Sequence, residues 1–197
     1  MKVGIEPGFG YRLSYGNTSK LARIESLSES PAYRIDLFYD NEGRVSIEKN
    51  YEKYFDNWRE NIVFFYTYTN GKLTGIREMF QWATPAIEQE HQLIWEGDNI
   101  RTIIIRSGGA TICTNQFTYD MTRKNPMAAL IDLYYSDNLG PSYKLPLYRS
   151  DNMLIKEETN CPSVQTTNIT YEFNDKNLLQ EIVANGYKLL SYSYECH

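Results

Sequence analysis

An all-β fold is what this sequence predicts: an antiparallel meander of repeated β-hairpins closing toward a barrel, with one short helix near residues 125–134. Three observations predict it. Tyrosine occurs 17 times and phenylalanine 8 times, and a pleated, half-buried strand surface accommodates such side chains well. One short phrase recurs along the chain: an aromatic residue, a turn rich in Asn, Asp or Gly, then an apolar residue. Between the turns, apolar and polar residues alternate with the period of two that a half-buried strand requires.

The phrase has six copies: LSYGNTSKLARI (13–24), LFYDNEGRVSI (37–47), YTYTNGKLTGI (66–76), LIWEGDNIRTI (93–103), PLYRSDNMLI (146–155) and YEFNDKNLLQEI (171–182). Asn, Asp and Gly tolerate the positive φ of tight turns, and Asn-Gly between alternating runs is the strongest short hairpin signal. Each copy therefore reads as two antiparallel strands and a turn. FTYDMTRKNPMAAL (117–130) begins as a seventh copy and departs.

Strand faces follow from the alternation. Tyr33, Ile35, Leu37 and Tyr39 share one face and Arg34 and Asp36 the other; Tyr11, Leu13 and Tyr15 stand against Arg12 and Ser14, and Ile169, Tyr171 and Phe173 against Thr170 and Glu172. Two segments, IVFF (62–65) and TIIIR (102–106), are apolar on both faces and read as core. A long meander must dispose of its two open edges, and closure into a barrel does so. The helix is predicted from KNPMAALIDLYYS (124–136): Asn125 as N-cap, Pro126 at the first helical position, and Met127, Leu130, Ile131 and Tyr134 at helical spacing.

At 197 residues the chain reads as a single β-meander domain, 1–197. A net charge of −5 with scattered Lys and Arg supplies no basic face, which argues against nucleic acid as a partner. No run has the roughly 18 apolar residues of a membrane helix. A membrane-spanning porin is disfavoured, because an inward aromatic face would turn Arg34, Asp36 and Glu172 toward lipid. Cys113, Cys161 and Cys196 are an odd count without CxxC spacing, so no zinc knuckle or disulfide framework is written. They read as three thiols acting as small hydrophobes, with one bridge and one free thiol as the alternative.

Chemistry has little material. Only His91 and His197 are present, so neither a Ser/His/Asp nor a Cys/His arrangement is evident. EQEHQ (88–92) reads as a solvated loop, RSGGAT (106–111) as a hairpin turn, and DNEG (40–43) and SDN (136–138, 150–152) as turns without the ligand spacing of a calcium loop. Phe9, Trp58, Trp82 and Trp95 read as core or strand-surface aromatics before they read as stacking platforms for sugars or bases. No metal, cofactor or catalytic residue is expected, and the protein is expected not to be an enzyme.

FTYDMTRKNPMAAL, the later SDNMLIKEET and the closing ITYEFNDKNLLQEI with YSYEC resemble the Bacteroidetes secreted lipoprotein family of unknown function described as having a porin-like fold, over about Tyr11 to Cys196. The resemblance implies a β-meander closing toward a barrel, export to the cell envelope and, for some members, a provisional label of lipid binding. It implies an outer-membrane-anchored lipoprotein or a periplasmic protein, although a signal segment and a lipobox cysteine are absent from the start of this chain. It carries over no catalytic residue. FYDNEGRV (38–45) bears a weaker likeness to the YD repeats of Rhs-type shell proteins.

Two functions of different kinds follow. The first is binding of a lipid or other apolar small molecule in the barrel interior, lined by Tyr15, Leu37, Tyr39, Tyr68, Trp95 and Phe173. Twelve or so strands at a usual tilt near 40° and a spacing of about 4.8 Å would close at a radius of roughly 12 Å, wider than side chains alone fill. The second is a surface interaction or structural module that meets polysaccharide or protein through loops or a strand edge. Oligomeric state is not legible in the sequence.

Overall fold

The computed structural model describes residues 11–17, 19–27, 32–125 and 149–191. Over these residues 13 strands run in an antiparallel meander: β1 (Tyr11–Tyr15), β2 (Leu21–Ser26), β3 (Tyr33–Tyr39), β4 (Val45–Tyr54), β5 (Asn57–Thr69), β6 (Lys72–Phe80), β7 (Ile87–Glu96), β8 (Asn99–Ser107), β9 (Ala110–Lys124), β10 (Asn152–Thr159), β11 (Gln165–Phe173), β12 (Leu179–Ala184) and β13 (Tyr187–Ser191). The hydrogen-bonded order follows the chain order. Among the described residues no ladder joins β13 to β1, so the sheet is not closed. The helix predicted near 125–134 lies, after Asn125, outside the described residues, as does the start of the 146–155 copy.

The recurring phrase has a single structural meaning. In four hairpins its aromatic residue pairs with an apolar residue at the turn end: Tyr15 with Leu21, Tyr39 with Val45 and Phe173 with Leu179 form the last pair, and Tyr68 with Leu73 the last but one. A β-bulge follows each pair, leaving Ala22, Ser46, Thr74 and Gln180 as the extra residues. Such a bulge raises the local twist and re-aims the strand.

Three of the turns are built alike. The first turn residue donates its N–H to the carbonyl four places on (Gly16 to Lys20, Asp40 to Arg44, Asn174 to Leu178), and its own carbonyl accepts from the fourth turn residue. That fourth residue is left-handed in each case: Ser19 at φ 60°, Gly43 at 78° and Asn177 at 59°. In two of them the first residue braces the turn as well. Asp40 Oδ1 accepts from the amides of Glu42 and Arg44, and Asn174 Oδ1 from those of Lys176 and Leu178.

Tyrosine hydroxyls repeat a second device. Tyr39 donates to the Leu21 carbonyl at 2.6 Å, Tyr68 to Val45 at 3.0 Å, Tyr119 to Ile100 at 2.5 Å and Tyr171 to Leu154 at 2.9 Å. Each reaches back from an odd-numbered strand to the even-numbered strand before it. The ring is set on the sheet face while the hydroxyl satisfies a main-chain acceptor, so the tyrosine richness is partly architectural.

By contacts the chain forms two compact units, Met1–Gln92 with Arg106–Ala110 and Leu93–Ile105 with Thr111–His197. In the first, one sheet face carries the buried Ile24, Ile35, Leu37 and Ile76. The opposite face is laid with charge and rings: Arg23 pairs with Asp36 at 2.6 Å, and the Arg34 guanidinium sits 4.1 Å from the Tyr51 ring and 5.2 Å from Trp58. In the second, Ile100, Ile103, Phe117, Leu154, Ile169 and Ile182 are buried. Cys113 and Cys161 form a disulfide with their Cα atoms 5.0 Å apart. This corrects the reading of all three cysteines as thiols: two residues 48 apart in sequence meet where β9 passes the end of β10.

Candidate functional site

Strand register brings the most unusual chemistry together on the apolar face of the first unit. Antiparallel partners directly opposite one another share a face, so three rows can be followed across β3 to β7. One holds Tyr66, Ile76 and His91; the next Leu37, Glu48, Phe64, Glu78 and Gln89; the third Ile35, Asn50, Ile62, Phe80 and Ile87. No lysine or arginine stands in these rows. Two carboxylates therefore lie on an apolar face with no lysine or arginine in their rows.

Each carboxylate is capped diagonally from the next strand. The Tyr66 hydroxyl donates to Glu48 Oε2 at 2.8 Å, and His91 Nε2 lies 3.1 Å from Glu78 Oε2. Burial is deep: Glu48 is 7% exposed and His91 3%. Desolvation pushes the Glu48 carboxyl up to about 7, against hydrogen bonds from Tyr66 and Asn50 that pull it down. Two buried atoms in the cluster have no partner, Asn50 Oδ1 and His91 Nδ1. His91 thus turns Nε2 to Glu78 and leaves Nδ1 without a partner.

Phe64 stands between the two acids in its row, flanked by Glu48 on β4 and Glu78 on β6. Its ring stacks against Tyr66 with centroids 6.4 Å apart and an interplanar angle of 26°. The site is thus an aromatic platform with a carboxylate on either side.

The six residues expected to line a ligand space do not form one group. Leu37 is buried in the row that holds both acids. Tyr39 and Tyr68 are half-buried but committed to main-chain carbonyls, with the Arg44 guanidinium 4.5 Å from the Tyr68 ring. Tyr15 is 61% exposed beside its turn. Trp95 and Phe173 belong to the second unit, where both are half-buried. That unit carries its own buried acid on the apolar face, Glu157, opposite Phe117 and Thr167, and desolvation raises its carboxyl to about 7.

Glu48, Glu78 and His91 were passed over in the sequence. EQEHQ reads as a solvated loop by its charge, yet it lies inside β7, where period two puts His91 with Leu93 on the buried face and Glu88 and Glu90 on the other. The alternation from Ile87 through Gln89 and His91 to Leu93 was the available signal. RSGGAT is the predicted turn, with Gly108 at φ 56° and Gly109 at 80° between β8 and β9.

No protein-family model matches the chain, and no curated protein does. A solved structure does. The crystal structure of a porin-like protein from Bacteroides vulgatus ATCC 8482 aligns over 94% of this chain and 94% of that one, with a TM-score of 0.56 at 12% sequence identity. The fold is porin-like. A second porin-like protein, from Bacteroides uniformis ATCC 8492, covers 95% of this chain and 90% of that one with a TM-score of 0.41 at 13% identity. The porin-like resemblance read from the turn and strand signatures is thereby supported at the level of the fold. No helix among the described residues is long and apolar enough to cross a membrane, which says nothing of strands.

Proposed function

We propose that this protein is a non-enzymatic binding protein of the cell envelope that takes a lipid or other apolar small molecule on the aromatic face of its sheet. The observation that carries the reading is the composition of that face in the first unit. Half-buried Phe64, Tyr66, Ile62 and Phe80 surround two buried carboxylates that no lysine or arginine neutralises. Buried polar groups are ordinarily fully hydrogen-bonded, and binding sites are where that accounting is left open for a ligand to complete. Export is supported by the Cys113–Cys161 disulfide, a bond that persists in oxidising compartments and is rare in the cytosol.

The test is mass spectrometry of an organic-solvent extract of the detergent-free protein beside a control barrel purified in the same way. A stoichiometric apolar molecule supports the reading, as does thermal stabilisation by added lipid or fatty acid. Extracts at background together with no stabilisation would overturn it. Weight would then pass to a surface module that meets polysaccharide or protein through exposed tips such as Phe55 and Trp82.

A further inference from the structure

We infer that the polar part of the ligand is a protonated amine, seated over the Phe64 ring between the carboxylates of Glu48 and Glu78, with an apolar body lying along the neighbouring rows. The inference rests on the binding reading above and deepens it by naming the ligand's chemistry.

Supply and demand of hydrogen bonds give the sign. Beside Phe64 the groups with spare capacity include the remaining lone pairs of both carboxylates and Asn50 Oδ1, a buried acceptor without a partner. The Tyr66 hydroxyl and the Asn50 amide are spent on Glu48, His91 Nε2 faces Glu78, and the Gln89 amide lies beyond Glu78 at the far end of the row from Glu48. A ligand that completes the site must therefore bring N–H or O–H groups. An anionic headgroup would add acceptors and negative charge to a buried acidic face.

Charge separates an amine from an alcohol. The two carboxylates stand two strands apart, roughly 10 Å between their Cα atoms, with no lysine or arginine in the three rows; His91 faces Glu78, and Glu48 has no basic side chain facing it. An unpaired buried carboxylate is costly, and an ammonium relieves it at Glu48 while a hydroxyl offers a single neutral donor. The ring between the carboxylates is the favoured seat for a cation, whose attraction to an aromatic face grows as water is excluded.

The experiment compares three probes of equal chain length, decylamine, decan-1-ol and decanoate, by titration calorimetry below their micellar concentrations. Decylamine should bind about tenfold or more tightly than decan-1-ol, the weight of one charge-assisted hydrogen bond, and decanoate weakest. Glu48→Gln and Glu78→Gln, which keep the shape and one acceptor oxygen, should each remove most of the advantage of decylamine over decan-1-ol. Circular dichroism of each variant would show that the sheet is intact. If decan-1-ol or decanoate matches or exceeds decylamine, the amine assignment is overturned while the apolar-ligand reading survives. If none of the three binds and none stabilises the fold, both are overturned.

Discussion

Asn99 and Asn152, 53 residues apart in the chain, bond to each other twice: the Asn99 side-chain amide donates to Asn152 Oδ1 at 3.0 Å, and the Asn152 main-chain N–H donates to Asn99 Oδ1 at 2.9 Å. They occupy equivalent places in two copies of the recurring phrase, Gly97-Asp98-Asn99 and Ser150-Asp151-Asn152. Around them Asp151 N–H donates to the Asp98 carbonyl, Ile100 N–H to Ser150 Oγ, and Ser150 Oγ–H to the Tyr119 hydroxyl. What reads as turn chemistry in the sequence is a buried network that ties the start of β10 to the start of β8.

Replacing one member should cost more than its own bond, because its buried partners are left unsatisfied. Asn152→Leu is expected to destabilise the protein by about 2–4 kcal/mol. Asn99→Leu should cost a similar amount, and the double variant less than the sum, since both remove one interaction. Urea denaturation of the four proteins measures this directly. Strict additivity would mean that the reciprocal pair carries no coupling.

Glu48 gives a pH dependence with a definite sign. Its carboxyl titrates near 4.5 in the unfolded chain and is pushed up to about 7 by burial in the fold. The folded state holds the proton more tightly, so stability is greatest below the unfolded value, falls as pH rises through the interval between the two, and levels off above the folded one. The groups that face it are Tyr66, Asn50 and Phe64, with Glu78 two strands away. The loss amounts to roughly 3 kcal/mol at most, from about 1.4 kcal/mol per unit. Glu48→Gln should flatten much of that slope and make the variant the more stable protein at about pH 8. Urea midpoints across this range would show it, and a variant that retains the full slope would exclude Glu48 as the source. Glu157 acts in the same direction and accounts for a residual slope.

Much of the fold was legible because its signals are local. Asn, Asp and Gly at the turns require no knowledge of distant residues, and the aromatic before each turn marks the hairpin end where its bulge forms. What was not legible depends on neighbours across strands. That Glu48, Phe64 and Glu78 share a row follows only from three registers, one of them shifted by a bulge at Asn50 and Tyr51. That Tyr39 and Tyr68 spend their hydroxyls on carbonyls of the preceding strand is likewise a pairing fact. The hairpin at Asn185-Gly186, φ 49° and 82°, carried a plain turn signal and was missed because no aromatic precedes it in the repeated phrase.

The Cys113–Cys161 bond closes a loop whose ends are 48 residues apart. In the chain-entropy description a cross-link of that span restricts the unfolded ensemble by about 4 kcal/mol. Reduction, or the pair Cys113→Ser with Cys161→Ser, is expected to lower stability by about 2–4 kcal/mol. Alkylation of the unfolded protein with and without reductant, followed by peptide mass mapping, checks the bond itself. Full alkylation of both residues without reductant would mean that the protein is isolated with free thiols there.

Phe55 is the residue whose local conformation most opposes its chemistry. It sits in the two-residue turn between β4 and β5, where Tyr54 pairs with Asn57, at φ 52° and 82% exposed. A bulky side chain in the left-handed region costs about 1–2 kcal/mol, and Asn tolerates that region far better. Against this stands one edge contact with the Tyr54 ring at 4.7 Å, worth about 0.5–1 kcal/mol. Phe55→Asn should therefore stabilise the protein by about 0.5–1 kcal/mol, while Phe55→Ala, which loses the ring contact and keeps a strained backbone, should not. Thermal melts of both variants separate the causes. Equal gains would locate the effect in removal of the exposed ring, whereas a gain confined to Asn would locate it in the backbone. A protein that keeps Phe at such a place gives up stability for an apolar tip, which is the trade expected of a contact surface.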